Sequence, residues 1–165
     1  MRIFRSVLAQ SIAVTAALLI TASTAAPALA SGHSILREDF MGIAGANAAV
    51  NPSQPIAGVP AGGAQWVVAD GSQTRVREDG RITVTVRGLV IPGRVPPNPV
   101  PSMFASLVCN DMVVASTRPF DVSPDGNGQV SDRISVPDRD ECDNPMVLVR
   151  GNIPNGPYFA VAADD

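Results

Sequence analysis

Two cysteines, one histidine and a run of carboxylates are the side chains of this 165-residue sequence whose types and spacing invite a chemical reading. Cys109 and Cys142 could form a nucleophilic or metal-binding pair. A reactive thiolate needs a cation or an imidazole beside it to lower its pKa. The single histidine, His33, lies far upstream of both cysteines. A serine-histidine-aspartate site fails on the same count, because its base must sit within hydrogen-bond reach of the nucleophile. Zinc requires Cys and His at motif spacing, which is missing. Two cysteines in an oxidising compartment read instead as one disulfide. Closing a loop of about 34 residues would stabilise the fold by about 3–4 kcal/mol through lost unfolded-state entropy.

The carboxylates Asp138, Asp140, Glu141 and Asp143, together with Asp125 and Asn127, are oxygen donors of the kind Ca²⁺ takes six to eight of. Counted from Asp125, however, the sixth and twelfth positions of an EF-hand loop fall on Val130 and Val136, where Gly and Glu belong. The competing reading is a solvated turn plus an acidic loop that keeps a sheet edge from pairing. Paired carboxylates also serve glycosidases. Sugar clefts want aromatic platforms, and Trp66 and Tyr158 are better placed as core. No glycine cluster sits between a strand pattern and a helix pattern, so no nucleotide loop is read. Met41, Met103, Met112 and Met146 are scattered and suit packing better than soft-metal binding. The expectation is a chain with no catalytic residues and no cofactor.

The first thirty residues set the expected compartment. Arg2 and Arg5 precede an apolar stretch from Val7 to Ile20, and the small-x-small triplet Ala28-Leu29-Ala30 follows. This is the layout of a secretory signal peptide over residues 1–30, cut after Ala30. The apolar core is interrupted by Thr15 and ended by Pro27, which suits a cleaved leader better than a span of about 30 Å. Removing it takes two of the 12 basic residues and leaves 10 Arg against 15 Asp plus Glu, a net charge of −5. Lysine is absent. A mildly acidic chain with no basic stripe argues against nucleic acid and against adsorption to anionic lipid, so neither is expected as a partner. The expected product is secreted, extracellular, and not inserted in a membrane.

Residues 31–63 are rich in Gly, Ala and Pro, show no sustained period, and read as a flexible arm. From residue 64 onward the pattern is β. Trp66 and Val68 share one face of a short strand. Ile82, Val84 and Val86 alternate with Thr83, Thr85 and Arg87, the period-2 mark of a half-buried strand. A three-residue loop, Glu78-Asp79-Gly80, sets Val76 opposite Ile82 and Thr74 opposite Val84, with Gly80 supplying positive φ. A one-residue slip would invert every side chain. The prolines of residues 91–103 predict a rigid extended link. An Asn110-Asp111 type I′ turn sets Cys109 against Met112 and Leu107 against Val114, giving a central hairpin covered on both faces. Val130, Ile134 and Val136 alternate, with Asp132 in the same row. "MVLVRG" and "YFAVAA" are the last two strands. About eight short strands with turns every 8–12 residues predict an all-β antiparallel sandwich over residues 64–165.

At "GRITVTVRGLVIPG", "NPVPSMFASLVCN" and "MVVASTRPFDVSPDGNGQ" the chain resembles a group of small exported bacterial proteins with no assigned activity, over about residues 54–163. The resemblance implies a Cys-stapled β-sandwich and brings no catalytic residue. More coarsely the architecture is similar to immunoglobulin-like sandwiches, although no Trp falls midway between the cysteines as in antibody domains. The function expected is a secreted non-enzymatic binding or structural module, its partner an extracellular or cell-envelope protein or glycan. The alternatives are a small protease inhibitor presenting the 91–103 loop and a calcium-dependent adhesive domain.

Overall fold

Strict alternation in "RITVTV" becomes a strand with Ile82, Val84 and Val86 fully buried and Arg81 and Thr83 turned to solvent. In the computed structural model, which describes residues 33–44 and 54–164, this strand (β4, Arg81–Val86) pairs antiparallel with β3 (Gln73–Arg77). Val76 faces Ile82 and Thr74 faces Val84, as the three-residue loop requires. Gly80 closes that loop at φ 82°, and the Asp79 carboxylate accepts a hydrogen bond from the Arg81 N–H at 3.1 Å. Both features select this register over the slipped one.

The other strands are β1 (Ser34–Asp39), β2 (Met41–Gly42), β5 (Ser102–Cys109), β6 (Met112–Ser116), β7 (Phe120–Asp121), β8 (Gly128–Arg133), β9 (Met146–Gly151) and β10 (Tyr158–Ala163). They form two antiparallel sheets packed face to face. The first has the order β1-β3-β4-β8 and the second β2-β10-β9-β5-β6, with β7 pairing the start of β5. The interior holds Val76, Ile82, Val84 and Val130 of the first sheet with Met103, Leu107, Val147 and Ala160 of the second. This all-β sandwich is the predicted class. Trp66 stacks on Phe159 at 4.3 Å between ring centroids, and both are core residues. Tyr158 is wholly buried and donates its hydroxyl hydrogen bond to the Gln54 carbonyl; burial pushes its phenol pKa up.

The flexible arm needs correction wherever its residues are described. β1 pairs along β3, and β2 pairs with β10. The sandwich therefore starts well before residue 64. A register irregularity between Ser34 and Leu36 turns Ile35 and Leu36 both inward, which erases the alternation a strand would show in the sequence. Residues 54–63 are pinned by main-chain bonds as well as by Val59 and Ala61, which join the core. Tyr158 N–H donates to Pro60 O, Gly62 N–H donates to Tyr158 O, and Ile56 and Val59 exchange both bonds. The leader, its cleavage site and residues 45–53 lie outside the described residues.

Three smaller expectations change as well. The strand at Trp66 reduces to a single bridge between Val67 and Val90, although Trp66 still turns inward. The proline-rich link is not fully extended: Ile91 N–H donates to Pro97 O and Arg94 N–H to Ile91 O, closing a turn. The Asn110-Asp111 turn forms as read, with φ 52° and 57° and Cys109 opposite Met112. Beyond it, Val114 is an extra residue, so that Leu107 faces Ala115 instead.

Candidate binding surfaces

The tip of the β5–β6 hairpin is where the sequence placed its strongest chemical candidate. Cys109 ends β5 and is disulfide-bonded to Cys142, with Cα atoms 4.8 Å apart. Both residues are buried and no cysteine is free, so neither sulfur is a nucleophile or a metal ligand. Cys142 lies just before β9, which is itself paired to β5. The bridge therefore closes one sheet on its own neighbour, whereas the antibody pattern joins two sheets. Asn110 completes the closure. Its side-chain amide donates to Glu141 O at 2.7 Å, and its Oδ1 accepts from Asp143 N–H at 2.9 Å.

The proposed calcium donors do not converge. Asp138 caps a short 3₁₀ turn, Arg139–Glu141, which together with Asp143 lies at the disulfide end of the molecule. Asp125 and Asn127 occupy the turn before β8, at the other end of that six-residue strand, about 20 Å away. Asn127 is already used, its Oδ1 accepting from Gly88 N–H and its N–H donating to Ser123 Oγ. Among the described residues no group of three or more His, Cys, Asp or Glu is placed to hold a metal ion. The six residues occupy two separate exposed turns, the competing reading of the sequence. His33 stands beside Glu78 at the margin of the first sheet, its Nδ1 3.9 Å from the carboxylate.

The hairpin is not covered on both sides throughout. β5 is central and buried on both faces, but β6 is the last strand of its sheet. Met112 is 62% exposed, and Val113 and Val114 are each 37% exposed. Two-sided apolar patterning predicts burial of both strands. For β6 it marks instead an apolar sheet edge whose outward N–H and C=O groups have no neighbouring strand among the described residues. No charge or proline interrupts "MVVAS", the usual devices that keep such an edge from pairing. The extra residue at Val114 is the one local distortion along it.

A second surface escaped the sequence entirely. On the outer face of the first sheet, strand register sets Arg37 opposite Arg75 and Arg81 opposite Arg133, with Arg77 beside Arg81 across the turn. Arg77 and Arg81 share the Asp79 carboxylate at 3.7 and 3.5 Å. Arg75 Nε donates to Ser34 Oγ at 2.8 Å. The signal that could have found this face was the β3–β4 register, which was legible; the contribution of β1 was not.

The 91–103 loop exposes Val95 at its tip, 93% accessible. It is braced beneath by Asn98, a buried residue whose N–H donates to Pro124 O and whose Oδ1 accepts from Val100 N–H at 2.7 Å.

Fold and surfaces together define a disulfide-stapled antiparallel β-sandwich. Comparison with protein-family models, with curated proteins and with solved structures gives no match to this chain. The disulfide is compatible with an oxidising extracellular environment, and among the described residues no helix is long and apolar enough to cross a membrane.

Proposed function

We propose that the chain is exported, loses residues 1–30, and acts outside the cell as a non-enzymatic binding module. The free edge of β6 is its docking strand. The observation that supports this most is the exposure of Met112, Val113 and Val114 on a strand with no outer neighbour among the described residues. An extended segment of a partner protein can add to such an edge by main-chain hydrogen bonds, with affinity completed by the apolar side chains. The disulfide and the Asn110 bonds anchor the tip of the hairpin, so the edge is presented with little ordering cost. Substituting Val114 with Lys places a charge on the edge and leaves the core untouched. Loss of partner capture from envelope extract or culture supernatant, with unchanged unfolding, is the expected result.

A second reading is a protease inhibitor, favoured by the exposure of Val95 next to Arg94 at the tip of a braced loop. Its test is a panel of secreted serine proteases. Nanomolar inhibition that is lost on Arg94→Ala would support this reading in place of the first.

A further inference from the structure

Like charges set directly across a strand pair cost stability. This chain nevertheless places Arg37 opposite Arg75 and Arg81 opposite Arg133 on one sheet face, in a protein whose overall charge is negative. Rows two residues apart along a strand lie about 7 Å from each other, so five guanidinium groups share a small patch. Asp79 neutralises part of the Arg77–Arg81–Arg133 row, whereas the ion pairs of the described residues leave out Arg37 and Arg75. Asp39 is a further carboxylate on this face, one row away and opposite Gln73. A depression of about 270 Å³ borders the Arg37–Arg75 row on the side away from Arg77 and Arg81, lined by Arg37, Gln73, Thr74, Arg75, Thr83 and Thr85. The Thr74 hydroxyl is committed to the Thr83 carbonyl. The Thr83 and Thr85 hydroxyls and the Gln73 amide remain available beside the two guanidinium groups.

We infer that this face is a binding site for an acidic polysaccharide, with Arg37 and Arg75 holding a carboxylate or sulfate oxyanion of the polymer and Thr83, Thr85 and Gln73 bonding sugar hydroxyls. A guanidinium fork matches the oxygens of such groups in two parallel hydrogen bonds. Among the described residues no aromatic ring lines the depression, so it offers no platform on which nucleic-acid bases could stack. Hydroxyl and amide groups between the charges suit a ligand that alternates oxyanions with alcohols.

The test is calorimetric titration of the purified protein with polygalacturonate and with dextran sulfate at two salt concentrations. Neutral dextran and a single-stranded oligonucleotide serve as comparators. Binding to at least one acidic polysaccharide, weakened by salt and absent with neutral dextran, is expected; which polymer binds assigns the oxyanion. Arg37→Gln should weaken binding about tenfold, the loss of one charge-assisted contact. Because that substitution relieves repulsion and removes no hydrogen bond, the unfolding midpoint should stay level or rise. Arg94→Gln, on the 91–103 loop, should leave binding unchanged. No binding to either polymer, an Arg37→Gln variant that binds as well as the parent, or a lowered midpoint for that variant would each overturn the assignment. So would oligonucleotide binding that matches or exceeds that of the polysaccharides, which would give the face to nucleic acid.

Discussion

Asn110 and Asp143 exchange hydrogen bonds in both directions: the Asn110 N–H donates to Asp143 O at 3.1 Å, and the Asp143 N–H donates to Asn110 Oδ1 at 2.9 Å. The disulfide next to them ties the same two segments, so the hairpin tip is fixed twice, once by sulfur and once by amide. Replacing both cysteines with Ser should lower unfolding stability by about 3–4 kcal/mol, the loop-closure value. Urea unfolding of the variant against the oxidised parent measures it. A loss well below 2 kcal/mol would mean that the Asn110 contacts hold the loop closed even in the unfolded ensemble.

Asn110 itself has two roles, and two substitutions separate them. It sits at φ 52° and makes two side-chain hydrogen bonds. Asn110→Gly keeps the left-handed backbone and removes the bonds, an expected cost of about 1 kcal/mol. Asn110→Ala removes the bonds and strains the turn, for about 2 kcal/mol in all. Equal losses for the two would show that the turn is indifferent to φ. In the cysteine-free background both costs should shrink, because neighbouring contacts that share one closure are not additive.

Acid sensitivity should concentrate on Asp132. Its carboxylate accepts the Arg118 N–H at 2.7 Å and the Arg133 N–H at 2.8 Å, and these backbone bonds hold its pKa below the usual carboxylate range. Asp79 is lowered in the same direction, chiefly by the Arg81 N–H. A folded-state pKa below the unfolded one contributes stability that is complete above the unfolded value, about 3.9, and fades as pH falls through the lowered folded value. Urea midpoints between about pH 5 and pH 2 should therefore fall less steeply for Asp132→Asn than for the parent. Parallel curves would remove Asp132 from the acid transition.

Much of the first sheet could be read from residues alone, because Ile82, Val84 and Val86 alternate without fault and Gly80 fixes the turn. The disulfide was legible for a chemical reason: neither cysteine has a base in sequence that could make it reactive. The arm was misread because β1 hides its period behind an irregularity at Ile35. Residues 54–63 are held partly by main-chain bonds, which leave no trace in an apolar count, and partly by only two buried side chains, Val59 and Ala61. β6 was misplaced because an apolar strand at an edge and one in the centre look alike until the neighbours are known. The arginine face was invisible for a related reason. Arg37, Arg75, Arg81 and Arg133 are scattered along the chain, and only cross-strand register gathers them.

Affinity capture with Val114→Lys beside the parent tests the docking strand most directly. The account predicts that a partner retained by the parent is lost by the variant, while the two proteins unfold at the same urea midpoint. Amide exchange should then show the outward-facing amides of β6 protected in the parent's complex alone. An identical set of captured proteins for both, with the outward-facing β6 amides exchanging freely throughout, would contradict it.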